Sequence, residues 1–263
     1  MMSVLVHIKD SPAGWVMAGP LLDVYSLFPL SHLGLGFAVP TKAGYWRRMK
    51  TEDQASWVAW PAAGQIRYAL VRVSWVALCF ALVYGGAEWL TVRRVTRVKI
   101  AMEWEQQMPF VPAFSLIYIS AYAVLFPLAL WVLRTRREID ELAFQLVIII
   151  LLAGLGFLLL PANLAYAPPG ELGLWRPLFI FADDLNLDHN LAPSLHVALS
   201  TVCLEHYALR VDSRGKWALR AWGGLIAAST LLLHQHHVLD VVAGYALALG
   251  VWSYRQRTQH LRS

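Results

Sequence analysis

The stretch Ser229–Asp240, STLLLHQHHVLD, places three histidines and one carboxylate where one apolar segment ends and the next begins. His236 and Asp240 are four residues apart, so in a helix that begins here both side chains lie on one face. The carboxylate can then hold one ring nitrogen of His236 and leave the other nitrogen free to react. A simple membrane anchor needs no such groups, and the stretch therefore predicts a chemical site between two helices.

A second stretch of the same kind, NLAPSLH, lies upstream at 190–196. A polar loop leads into Pro193, which suits a first helical turn, and His196 follows just inside an apolar run. We expect Asn190 to cap this helix, and the free amides from Ser194 onward to face a bound anion at the positive end of the helix dipole. A single histidine in such a place is usually a hydrogen-bonded structural residue, but two of them favour a catalytic site.

Together the two stretches resemble the signature motifs of the type 2 phosphatidic acid phosphatase superfamily. The resemblance covers residues 105–254 and rests on Pro193-Ser194-Leu195-His196, on Ser229 and on His236 with Asp240. The forms Pro-Ser-Leu-His and Ser-Thr, in place of Pro-Ser-Gly-His and Ser-Arg, are most similar to the inositol phosphorylceramide synthase branch. The resemblance implies a six-span membrane enzyme that acts on lipid phosphates.

The resemblance also implies a role for each residue of the motifs. His236 would attack phosphorus and form a phosphohistidine, while Asp240 orients its ring. His196 would give a proton to the departing alcohol and afterwards activate the acceptor. The groups expected to bind the substrate phosphate are Arg176 (followed by Pro177), Asn190 and Ser194.

Two cations of the phosphatase pattern are replaced in this sequence. Pro169 stands where the first motif has a lysine, and Thr230 stands where the third motif has an arginine. A phosphate monoester carries nearly two negative charges and a diester carries one, so a pocket with fewer cations suits the diester better. We therefore expect a lipid phosphotransferase that uses a membrane alcohol as acceptor.

Two alternatives stay open. In the first, water resolves the phosphohistidine, and the enzyme is a lipid phosphate or pyrophosphate phosphatase. In the second, of another class, the chain is a membrane transporter, because ionisable residues within spans often mark an ion path.

The composition is typical of a polytopic membrane protein, since 58% of the 263 residues are hydrophobic and 15% are charged. Apolar segments that meet or approach the length of a membrane span predict an all-α bundle of about six transmembrane helices. These segments are 69–90, 113–133, 142–161, 191–209, 217–235 and 238–254.

The spans divide the chain into an N-terminal cytoplasmic or interfacial segment (1–68), a membrane domain (69–254) and a basic cytoplasmic tail (255–263). Prolines and Asp23 interrupt the hydrophobic stretch 15–39, which suits a re-entrant or interfacial segment better than a further span. The stretch 99–112 suits an interfacial helix on the outer face.

The expected partners are a lipid phosphate, a lipid alcohol acceptor and the membrane itself. The net charge of +5 is explained by basic residues at the ends of spans, so nucleic acid is not expected. Loop carboxylates of this kind are usually solvated, and we expect neither a metal nor a cofactor. The carboxylates concerned are Asp183, Asp184 and Asp188. The sequence does not indicate an oligomeric state.

Basic residues orient the bundle, because they concentrate at the cytoplasmic ends of spans. They cluster after the second span, between the fourth and fifth spans and in the tail, which all lie on one side; the cluster at 93–99 is the exception. Both termini are then cytoplasmic, and the two histidine stretches meet at the extracytoplasmic face of what we take to be a bacterial inner membrane.

A cysteine at residue 172 tests this topology. Leu172→Cys should react with a membrane-impermeant maleimide in intact cells, because the 162–190 loop faces outward. The unmodified chain, whose two cysteines lie in apolar runs, is the control. Labelling that appears only after permeabilisation would place the site on the cytoplasmic side.

Overall fold

The computed structural model of the chain describes residues 4–7, 15–18, 61–94, 97–125, 127–167, 169–187 and 189–261. The chain divides into two units, 1–38 and 39–263. In the first unit, strands β1 (Val4–His7) and β2 (Trp15–Ala18) pair antiparallel. The sequence did not predict this pair. Beyond β2, the hydrophobic stretch 15–39 lies outside the described residues.

The second unit is helical wherever the structure describes it in regular elements, which confirms the all-α prediction for this unit. A short 3₁₀ helix, Glu103–Gln107, precedes the second α-helix. The α-helices are α1 (Ala63–Thr91), α2 (Ser115–Leu125), α3 (Pro127–Val132), α4 (Arg136–Leu159), α5 (Arg176–Asp184), α6 (Leu195–Ala208), α7 (Ser213–Leu232) and α8 (Val238–Leu261).

Each of the six predicted spans overlaps one helix, or the α2–α3 pair in the case of the second span. Among the described residues, α1 and α4 are long and apolar enough to cross a membrane by length and composition. The count of six spans therefore stays a prediction. α8 continues through most of the predicted tail, and α5 lies within the stretch expected to be a loop.

α6 is the central helix of the second unit. It packs against α2, α4, α7 and α8, and nearly all of its side chains are buried. α1, by contrast, packs mainly on α4. Only 11% of the most apolar 18-residue stretch of α1 is buried, against 56% for that of α4. This arrangement places His196 at one end of the central helix.

The start of α6 differs from the prediction. Its N-cap is Ser194, whose Oγ accepts a hydrogen bond from the amide of Val197 at 3.4 Å. The prediction that Asn190 caps this helix is wrong, because a capping side chain reaches amides only two or three residues further along. The side-chain amide of Asn190 donates instead to the carbonyl of Tyr84 at 2.6 Å.

Buried ion pairs tie the first turns of α4 to its neighbours. Glu138 pairs with Arg210, which follows α6, and also forms a capping box with Thr135. The other two pairs are Asp140 with Arg72 of α1, at 2.8 Å, and Glu141 with Arg255 of α8, at 2.7 Å. All three carboxylates are nearly inaccessible, so the pairs fix one end of the bundle.

Glu141→Gln should destabilise this end of the bundle, because it leaves the buried guanidinium of Arg255 without its compensating charge. We expect the free energy of unfolding to fall by about 3–5 kcal/mol, measured by thermal and denaturant unfolding in detergent. Glu205→Gln is the matched control: it breaks a more exposed pair with Arg220, with an expected loss below about 1 kcal/mol. An equal loss of unfolding free energy in the two variants would contradict the stabilising role of the buried Glu141–Arg255 pair.

Candidate active site

The ring of His236 is held by Asp240, as the four-residue spacing predicts. Nδ1 of His236 lies 2.9 Å from Oδ2 of Asp240, and both side chains are buried. A carboxylate accepts hydrogen bonds, so Nδ1 carries the hydrogen of the neutral ring and Nε2 keeps its lone pair. Nε2 is therefore the ring nitrogen of His236 that could act as a nucleophile or a base.

The turn between α7 and α8 is set by the C-terminus of α7. The amide of Gln235 donates to the carbonyl of Thr230 at 2.9 Å, and the amide of His234 donates to that of Leu231 at 3.0 Å. These two bonds are the Schellman pattern, in which one residue adopts a left-handed conformation. His234 does so, with φ of 56°, although glycine usually occupies this position. Its ring stacks on Tyr166 at a centroid distance of 4.1 Å.

A buried carboxylate from the 3₁₀ helix holds the same turn. Glu105 accepts hydrogen bonds from Nδ1 of His237 at 2.6 Å and from the amide of Val238 at 3.1 Å. The amide of Ala165 donates to Nε2 of His237 at 3.2 Å, so the ring hydrogen must be on Nδ1. We call this group, Glu105 and His237 with the amides of Val238 and Ala165, the Glu105 clasp. It joins three segments of the chain behind His236.

Tyr166 adds a further contact to the turn. Its ring stacks on His237 at a centroid distance of 4.6 Å, and its hydroxyl donates to the carbonyl of His236 at 3.2 Å. Burial, together with the nearby carboxylates of Glu105 and Asp240, raises the pKa of Tyr166. The phenol therefore stays protonated and remains a donor.

His196, in the first turn of α6, is held by α2. Its Nε2 lies 3.1 Å from the carbonyl oxygen of Tyr118, and the two rings stack at a centroid distance of 3.9 Å. A carbonyl only accepts, so Nε2 carries the hydrogen of the neutral ring and Nδ1 is left to exchange a proton. The two histidines thus expose different ring nitrogens.

The starts of α6 and α8 approach each other through their backbones. The amide of Ser194 donates to the carbonyl of Asp240 at 2.9 Å. A β-carbon on Gly244 would lie 2.5 Å from the carbonyl oxygen of Ser194, and one on Gly156 would lie 2.6 Å from Cδ of Pro193. Both distances are below van der Waals contact, so glycine is required on either side of this segment. The two histidines are brought to one cavity as a result.

That cavity has a volume of about 200 Å³, and both His196 and His236 line it. Its wall is mostly apolar and comes from α1, α2, α4 and α6, with side chains that include Val76, Phe80, Leu125, Leu146, Ile150 and Leu199. A cavity of this kind suits a molecule with an apolar chain and a polar head.

A smaller polar pocket of about 50 Å³ adjoins the apolar cavity, and His236 lines both. Within the pocket, Gln235 donates to Asp183 at 2.9 Å and accepts from Asn186 at 2.6 Å. The residues common to both spaces are Tyr84, Asn186, Asn190 and His236. No arginine or lysine lines either space in the part of the chain that the structure describes.

The predicted phosphate ligands are not all near the histidines. Arg176, the first residue of α5, is exposed and lines neither space. The amide of Ser194 donates to Asp240, and the Ser194 side chain is buried at the cap of α6. Asn190 lines both spaces beside His236. Phosphate binding by these residues stays a prediction.

The loop carboxylates lie at the edge of the site. Asp183 accepts from Gln235, Asp184 is exposed, and Asp188 lies outside the described residues. Within the described ranges, no group of three or more histidine, cysteine or acidic side chains is arranged to hold a metal ion.

Three residues that support the site were missed by the sequence analysis: Glu105, Tyr118 and Tyr166. Each is far in sequence from the histidine that it contacts, and none belongs to a recognisable motif. The stretch 99–112 was expected to form an interfacial helix, but it contains the 3₁₀ helix Glu103–Gln107 and the first residue of another, Pro112–Phe114. Glu105 of the first is fully buried.

Comparison with protein-family models finds a match to the PAP2 superfamily over residues 98–254. This range includes both histidine stretches, the Glu105 clasp and all helices from α2 onward, up to residue 254 of α8. No curated protein and no solved structure matches the chain.

Proposed function

The chain belongs to the PAP2 superfamily, a family of phosphatases and phosphotransferases, and on this premise we propose that it is a membrane enzyme that transfers phosphoryl groups of lipids. The observation that supports this most directly is that His196 and His236 line one apolar cavity, with Asp240 holding the ring of His236. An apolar chain can occupy the cavity while its phosphate meets the imidazoles.

In the first step, Nε2 of His236 attacks phosphorus. Asp240, 2.9 Å from Nδ1, compensates the positive charge that the ring gains as the phosphorus–nitrogen bond forms. The bond between phosphorus and the leaving oxygen breaks, and protonated His196 gives its Nδ1 proton to that oxygen, which is worth about 10²–10⁴-fold in rate. An alcohol or water then resolves the phosphohistidine.

A phosphodiester donor agrees best with the groups around His236. Carboxamides, a tyrosine and a carboxylate line the polar pocket, and no arginine or lysine does so in the described ranges. A lining without a cation tolerates one negative charge more easily than nearly two. We therefore favour a lipid phosphotransferase similar to the inositol phosphorylceramide synthases, with a lipid alcohol as acceptor. A lipid phosphate or pyrophosphate phosphatase is the alternative.

The proposed function also includes a position for the chain in the membrane. We propose that all six helical segments that match predicted spans cross a bacterial inner membrane, with both termini cytoplasmic and the histidines at the extracytoplasmic face. Two apolar helices and the family support a membrane protein. We further propose catalysis without a metal, since imidazole and helix amides can balance the phosphate charge.

Purified protein in detergent, given labelled lipids, tests hydrolysis against transfer. The donors are phosphatidic acid, an isoprenoid pyrophosphate and phosphatidylinositol, each with and without ceramide or diacylglycerol. We expect a transfer product from phosphatidylinositol that depends on the acceptor. Fast release of inorganic phosphate from the first two donors, without transfer from the third, would make the enzyme a phosphatase.

The same assay with EDTA tests metal independence. We expect turnover to stay within about twofold of the untreated enzyme, because no step in the scheme uses a metal. Loss of turnover that magnesium or zinc restores would contradict this and turn attention to Asp183 and Asp184.

The two histidines should fail differently when replaced. His236→Ala should form no acid-labile phosphoenzyme, because the nucleophile is gone. His196→Ala should still form it, about 10²–10⁴-fold more slowly, because only the proton donor is gone. Rapid-quench trapping of a ³²P-labelled enzyme measures both, with Asp184→Asn as a control on an exposed carboxylate. Normal labelling of His236→Ala would assign the nucleophile elsewhere.

A further inference from the structure

Among the described polar residues around His236, Asn190 alone has three properties together. Only 2% of the residue is exposed, it lines both the apolar cavity and the polar pocket, and its side-chain Oδ1 is buried without a hydrogen-bond partner. A buried acceptor left without a donor is costly, and such groups in native structures call for an explanation. The neighbouring carboxamides do not share the feature: Gln235 and Asn186 each use both ends of the amide.

The orientation of the Asn190 amide is fixed by its other contact. Nδ2 donates to the backbone carbonyl of Tyr84 at 2.6 Å, and a carbonyl cannot accept a hydrogen bond from Oδ1. A flipped amide would place two oxygens against each other. Oδ1 is therefore the unpartnered atom of a side chain that lines the same two spaces as His236.

This orientation argues against the phosphate-binding role expected for Asn190. A carbonyl oxygen repels the anionic oxygens of a phosphate and binds a hydrogen-bond donor instead. The donor that the chemistry brings to His236 is an O–H group. Given the phosphohistidine proposed above, we propose that Oδ1 of Asn190 accepts a hydrogen bond from the hydroxyl-bearing molecule that resolves it, and so positions that molecule for attack.

The resolving step then proceeds as follows. The oxygen of the attacking O–H group forms a bond to phosphorus. At the same time the bond between phosphorus and Nε2 of His236 breaks, and the electron pair of the broken bond returns to Nε2. The proton of the attacking hydroxyl passes to Nδ1 of His196, the nitrogen not used by Tyr118. A second O–H hydrogen donates to Asn190. Water has two such hydrogens, and so does an alcohol with more than one hydroxyl.

The test separates formation of the phosphoenzyme from its breakdown. The enzyme is labelled with ³²P-phosphatidic acid or ³²P-phosphatidylinositol, the donor is removed, and loss of label is followed in water alone and with added ceramide. Asn190→Leu has a similar volume but no acceptor. We expect it to form phosphoenzyme within about threefold of the natural rate and to lose it about 10- to 100-fold more slowly. If Asn190→Leu loses its label more slowly in water alone, water is the molecule that Asn190 binds. If the loss is slower only with ceramide, that molecule is the alcohol.

Two further variants make the result decisive. Asn190→Asp keeps an acceptor oxygen but loses the bond to Tyr84, so its phosphoenzyme should break down faster than that of Asn190→Leu. Asn163→Leu, the same replacement at an exposed position, should match the natural chain in both steps. Equal slowing of formation and breakdown in Asn190→Leu, or equal breakdown in the Leu and Asp variants, would show that Asn190 only supports the fold.

The proposed function can fail separately from this inference. If the natural chain acquires no label from either lipid, or if His236→Ala acquires it normally, the phosphohistidine scheme is wrong. If the natural chain is labelled on His236 and the phosphoenzyme of Asn190→Leu breaks down at the natural rate, only the proposed role of Asn190 is wrong.

Discussion

The hydrogen bond from the amide of Ser194 to the carbonyl of Asp240 is the contact on which the site depends. It joins the start of α6 to the first turn of α8, and Gly156 and Gly244 leave the space for it, since a β-carbon at either position would overlap the Pro193–Ser194 segment. The same bond uses a helix amide that would otherwise be free to bind an anion. The amide of Ser194 is therefore not available to an anion, and its bond to Asp240 fixes the separation between the two histidine-bearing turns.

The Glu105 clasp holds the opposite side of the His236 turn. Its carboxylate and imidazole are fully buried, and burial of a charge is unfavourable unless its hydrogen bonds are complete. They are complete here, because Glu105 accepts two bonds and His237 uses both ring nitrogens. The turn is therefore fixed by hydrogen bonds of defined direction, and this compensates for the left-handed backbone of His234. A reactive side chain on a loop gains precision from such support.

The contacts that could be predicted from the sequence join residues that are close in the chain. The bond between His236 and Asp240 follows from their spacing, and the helices follow from apolar segments of sufficient length. The contacts that could not be predicted join segments that are distant in the chain. The Asn190 amide donates to the carbonyl of Tyr84, and the buried Glu105 accepts from His237; no local pattern indicates either contact. Two strands near the N-terminus were missed as well.

The two histidines differ in the partner that holds each ring, and this difference agrees with the proposed roles of nucleophile and acid. Nδ1 of His236 faces a carboxylate, which would stabilise the positive charge on the ring in the proposed phosphohistidine. Nε2 of His196 faces a backbone carbonyl, which orients the ring but offers only a neutral dipole. In the proposed scheme the carboxylate therefore favours a charged intermediate on His236, whereas the ring of His196 is bonded to a neutral carbonyl. The proposed division of roles thus depends on a carboxylate on α8 and a carbonyl on α2.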